Sequence, residues 1–152
     1  MNNSVVLSTK SKSLIVEIIC FLFILLFVYA SLNKLIDVEK FRVQIGQSPL
    51  LTGVAPVISW LIPAIEILIS LALVSSKFRL AALYASFGLM VGFSLYIIAI
   101  LNFSEHVPCS CGGVLENMGW TQHLIFNIVF VFLAALGILF YERHSASSVV
   151  SV

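Results

Sequence analysis

The chain has 152 residues, 61% of them hydrophobic and only 10% charged, with a mean hydropathy of +1.12. That balance excludes an ordinary water-soluble domain and makes the lipid bilayer the solvent. Eight Lys and Arg against seven Asp and Glu leave a formal charge of +1, which provides no basic surface for nucleic acid, and three cysteines are too few to staple a small secreted fold.

Residues 1–13 form a polar tail that holds Lys10 and Lys12. From Leu14 to Leu32 the chain is apolar except for Glu17 and Ser31, and a crossing needs about 20 such residues. Val28 and Ala30 are small enough for a signal-peptide cleavage site, but the apolar run is longer than the ~7–15 residues of a signal core, so a membrane span is expected. Asn33 to Gly53 is a polar connector with Lys34, Asp37, Glu39, Lys40 and Arg42, broken by Gly46, Ser48 and Pro49. It reads as a loop, part of it an interfacial helix. A second span, Val54 to Val74, carries Pro56, Pro63 and Glu66, and ends in the basic turn Ser75-Ser76-Lys77-Phe78-Arg79. So short a turn makes its neighbours antiparallel.

The third span runs from Leu80 to about Phe103, with Ala81, Ala85, Gly88 and Gly92 on one stripe that lets helices approach closely. After it come His106, Cys109, Cys111 and Gly112-Gly113, then Trp120 as an interface anchor. The fourth span covers Thr121 to Tyr141, and the Ser/Val-rich tail beyond Glu142-Arg143-His144 is expected to fray. These segments predict an all-α integral membrane protein: a four-transmembrane-helix bundle over residues 14–141, with spans 14–32, 54–74, 80–103 and 121–141 and with tails 1–13 and 142–152.

Lys10, Lys12, Lys77, Arg79 and Arg143 fall on one side of such a bundle and Lys34, Lys40 and Arg42 on the other. Positive charge favours the cytoplasmic face, so both termini are expected there and the cysteine loop, which has no Lys or Arg, outside. Cys109 and Cys111 then face a compartment where disulfides persist. Cys20, near the opposite end of the first span, is out of reach of both and reads as a small buried hydrophobe.

Four readings of the Cys109-Ser110-Cys111 pair compete. A staple is weak, because the bridge encloses a single residue and loop-closure stabilisation grows with the length enclosed. A redox pair suits it, because a small strained ring is labile and Gly112 to Glu116 can open a helix whose dipole favours the Cys111 thiolate. A zinc site of His106, Cys109, Cys111 and His123 has a suitable donor set but unusually tight cysteine spacing. The fourth reading is two incidental thiols. His106 and His123 border an interface, where histidine is often merely solvated, although His123 in the first turn of the fourth helix can also exchange protons with a cysteine.

Glu66 lies mid-span, where a bare carboxylate is costly and is usually paired, neutralised or functional. Its candidate partner is the Asn33/Lys34 pair at the end of the first span, the lysine snorkelling toward it. Such a pair either fixes helix register, relays protons or hydrogen-bonds a lipid-soluble electron carrier such as a quinone.

Three stretches carry a resemblance: Ala30-Ser31-Leu32-Asn33-Lys34-Leu35-Ile36-Asp37, Pro63-Ala64-Ile65-Glu66 and Val107-Pro108-Cys109-Ser110-Cys111-Gly112-Gly113. Together they make the chain similar to the MauE/DoxX group of redox-associated membrane proteins, the cysteine motif pointing to the MauE side. Where that group often has Phe-Gly after the second cysteine, this chain has Gly112-Gly113. The resemblance implies a four-helix protein of the bacterial cytoplasmic membrane that assists disulfide formation or electron transfer beside an exported thioredoxin-like partner. A self-contained disulfide generator would need a second outer cysteine pair, and the chain has none; a partner protein, a quinone or both complete the circuit. The expected catalytic residues are Cys109, Cys111, Glu66 and His123, with quinone as the candidate cofactor. A non-enzymatic assembly or scaffold subunit and a metal-handling membrane protein are the rival functions.

Overall fold

The computed structural model describes the backbone of residues 9–48, 51–103 and 119–149, and the side chains of 12–48, 51–102 and 119–142. Five helices follow one another: α1 (Thr9–Ile36), α2 (Val38–Gly46), α3 (Ala55–Val74), α4 (Arg79–Phe103) and α5 (Trp120–Val149), with a 3-10 turn at Thr52–Val54 leading into α3. No strand occurs among the described residues. Helices α1, α3, α4 and α5 are each long and apolar enough to cross a membrane. Helix is the form such segments must take, because lipid offers the backbone no hydrogen-bond partners.

The four long helices neighbour one another in the cyclic order α1, α3, α4, α5. The bundle therefore has two distinct ends. One holds the short α3–α4 turn and the start of α1; the other holds α2 and the ends of the α4–α5 connection. At the first, Tyr84 donates to Glu142 Oε1 (2.8 Å) and Tyr141 donates to the Ser76 carbonyl (3.4 Å). These ties hold the last turns of α5 against the α3–α4 turn. The helix then continues through Val149, where the sequence reading expects fraying.

Helix α2 forms within the polar connector. Asp37 caps its start by accepting from the Lys40 amide at 3.1 Å, and Thr52 Oγ1 bonds the carbonyls of Gly46 and Ser48 at 2.9 and 2.8 Å beyond its end. In α3, Pro56 sits in the first turn, where its missing amide proton costs nothing. Pro63 is internal and takes one donor out of the α3 ladder.

Helix α4 buries Ala82, Leu83, Ser86, Met90, Ser94 and Ile97. The stripe of Ala81, Ala85, Gly88 and Gly92 lies on the opposite, exposed face, and a Cβ added at Gly88 or Gly92 would meet nothing within 4 Å. The close approach is made instead by Gly137 of α5. A Cβ there would lie 3.2 Å from Ile19 Cγ2 and 3.3 Å from Leu83 Cδ2, so α1, α4 and α5 meet at that level. Around it Phe23, Phe27, Leu73 and Ala134 complete an apolar core. Three buried serines satisfy themselves within their own helices: Ser70, Ser86 and Ser94 each donate to a carbonyl four residues back at 2.8 Å.

Candidate functional site

Lys34, in the last turn of α1, donates to Glu66 Oε1 of α3, the pairing that the sequence places between them. Glu66 is 1% exposed, while the Lys34 side chain keeps 21% of its surface open. The lysine runs from the bundle end down toward the carboxylate, its stem covering apolar surface on the way. Its ammonium lies 5.4 Å from the ring centre of Phe93 on α4 and 5.6 Å from that of Phe41 on α2. Two aromatic faces and a carboxylate thus share one cation, which makes its partial burial tolerable. Asn33 does not join the pair; its amide donates back to the Tyr29 carbonyl at 3.0 Å.

Helix α5 supplies the remaining side. His123 sits in its first turn, half-buried, its backbone amide donating to the Gly119 carbonyl at 3.0 Å. The imidazole is within Coulombic reach of the Lys34 charge. One turn further along the same face is Asn127, which is 2% exposed. Its Nδ2 has no hydrogen-bond partner among the described residues, nor does Glu66 Oε2. Asn127 is not among the residues that the sequence singles out. Its signal was available: an amide between Phe126 and Ile128 in an apolar span, four residues after His123.

Cys109, Cys111 and His106 lie outside the described residues. The connection that carries them leaves α4 at Phe103 and enters α5 at Trp120, at the bundle end where Lys34 and His123 gather. Cys20 is a free, buried thiol in α1, next to Ile19 at the Gly137 level and well away from that end. Among the described residues no three His, Cys, Asp or Glu side chains come together as a metal-binding group; of the four conceivable zinc ligands only His123 is described.

A family model described as methylamine utilisation protein MauE matches residues 12–140. The chain belongs to the MauE family. The MauE match takes in all four membrane-crossing helices, the Lys34–Glu66 pair, Asn127 and the connection that carries the cysteines, and the chain is accordingly a multi-pass membrane protein of that family. Comparison with curated proteins and with solved structures gives no match.

Proposed function

We propose that the chain is a thiol–disulfide redox component of the bacterial cytoplasmic membrane. Both termini are cytoplasmic, and the α4–α5 connection is exported. Cys109 and Cys111 exchange electrons with an exported thioredoxin-like protein: one thiolate attacks a disulfide, a mixed disulfide forms, and the second thiol displaces it, leaving one pair oxidised and the other reduced. The observation that carries this reading is the placement of the Lys34–Glu66 ion pair, with the half-buried His123 in the first turn of α5, at the end of the bundle from which the cysteine connection springs. Thiol–disulfide exchange needs protons delivered and removed, and His123 with Glu66 supplies groups that can carry them at that end of the bundle.

Trapping tests the exchange. Cys111 precedes Gly112-Gly113 and is the attacking thiol. Cys109→Ser then accumulates a covalent complex with the exported partner on a non-reducing gel, dissolved by reductant, and Cys111→Ser does not. If neither variant traps a partner and the wild-type pair takes up equal thiol label with and without prior reduction, the redox reading is wrong. Topology is read from the same cysteines: in intact cells a membrane-impermeant maleimide labels reduced Cys109 and Cys111. Labelling only after lysis would reverse the orientation.

A further inference from the structure

Glu66 and Asn127 are the two deeply buried side chains of the membrane helices that leave a charged or amide atom unpaired among the described residues. Their common depth follows from helix geometry. Gly137 of α5 and Leu83 of α4 are in contact; ten residues along each helix toward the connector end lie Asn127 and Phe93. At 1.5 Å per residue both stand about 15 Å above that contact, in one layer. The Phe93 ring lies against the Lys34 ammonium, and that ammonium holds Glu66. Asn127, Phe93, Lys34 and Glu66 therefore occupy one level, contributed by all four membrane helices. Below it the ring of Phe130 stands edge-on to Phe23 at 5.2 Å and packs on Phe126 at 4.8 Å, an aromatic floor.

The two unpaired atoms are of opposite kind. Asn127 Nδ2 is a donor, and an ionised Glu66 Oε2 is an acceptor. Leaving each unmade inside a membrane is costly, so the layer suits an occupant that offers an acceptor to the amide and, in one of its two redox states, a donor to the carboxylate. The occupant must also arrive through lipid and tolerate an aromatic floor. We propose that this layer binds the polar ring of a quinone, with Asn127 donating to a ring oxygen and Glu66 accepting from the hydroxyl that forms on reduction.

The proposal rests on the redox reading for its chemistry and adds the electron carrier to it. Oxidation of the Cys109–Cys111 dithiol to a disulfide releases two electrons and two protons, and reduction of one quinone to quinol takes up both pairs. The same equation run backwards reduces the disulfide. Lys34 holds Oε1, leaving Oε2 to take the hydroxyl proton's hydrogen bond.

The test is equilibrium binding of decylubiquinone and of menadione to the purified full chain in lipid nanodiscs. Wild type and the Cys109→Ser/Cys111→Ser double variant bind at least one of them alike, and Asn127→Leu weakens that binding about tenfold, the cost of one buried hydrogen bond. Asn127→Ser, smaller and still able to donate, lies between them and serves if the leucine variant is not monodisperse. Should wild type bind neither quinone, or Asn127→Leu and Asn127→Ser both bind as wild type does, the site is wrong, and the partner-trapping result stands or falls separately. Binding that depends on Asn127 in a chain whose cysteines trap nothing would leave the site intact and remove the exchange reading.

Discussion

The two ends of this bundle solve the same problem in opposite ways. At the α3–α4 end most polar side chains are satisfied locally: Ser70 and Ser86 bond their own helices, Tyr84 and Tyr141 tie α5 to its neighbours, and among the described residues Arg79 Nε is the buried atom there without a partner. Interlocked side chains fill the rest, with Gly137 admitting Ile19 and Leu83 at close range. At the α2 end a charge pair is buried, four buried side-chain atoms, Gln44 Nε2, Ser48 Oγ, Glu66 Oε2 and Asn127 Nδ2, have no partner among the described residues, and a half-buried histidine stands in the first turn of α5. Stability alone would favour apolar side chains in place of such a pair. A fold that packs one end closely and gathers most of its unpaired buried polar atoms at the other is concentrating chemistry where the cysteine connection begins.

The sharpest way to break that contrast is to remove one charge and not the other. Lys34→Met leaves the Glu66 carboxylate buried and unpaired, and the expected loss is about 3–5 kcal/mol of stability, the range for breaking a buried pair. Lys34→Met combined with Glu66→Leu removes the uncompensated charge and restores stability to within about 1 kcal/mol of wild type. Unfolding in mixed micelles by denaturing detergent measures both. If the single variant is as stable as wild type, the pair is solvated and the α2 end is not a desolvated site. If the double variant stays as unstable as the single one, the lysine contributes through its packing on Phe41 and Phe93, not through its charge.

How far the sequence carries follows from what kind of signal each residue gives. Apolar length is additive along the chain, and the bilayer fixes it, so four helices long and apolar enough to cross were legible. Glu66 was legible because an acid in lipid needs a partner, and Lys34 was the cation near enough in the fold to serve. Asn127 was not, because an amide carries no charge and its meaning depends on which face of α5 turns inward, a matter of helix packing. The stripe on α4 shows the same limit from the other side. Its spacing fixes a common face for Ala81, Ala85, Gly88 and Gly92, but the larger residues Leu83, Met90 and Ile97 fill the core, and the small ones are left outside. Cys109 and Cys111 stood out by spacing alone, and their surroundings lie beyond the described residues.

The smallest expected effects compare two glycines in neighbouring helices. Gly137→Leu forces a side chain into a space where even a Cβ would crowd Ile19 and Leu83, and overpacking of that kind costs about 1–3 kcal/mol. Gly92→Ala adds a methyl group that meets nothing within 4 Å, and replacing a mid-helix glycine gains up to about 1 kcal/mol of helix propensity. The two substitutions should therefore move detergent unfolding in opposite directions, destabilising at Gly137 and neutral to stabilising at Gly92. Purification of the isolated chain matters to the reading, because a second helix seated on the α4 stripe would give Gly92 a neighbour it lacks within the bundle. A loss at Gly92 in native membranes that disappears in the purified monomer would identify such a neighbour. A loss in both would mean that α4 packs through the face that the structure leaves open.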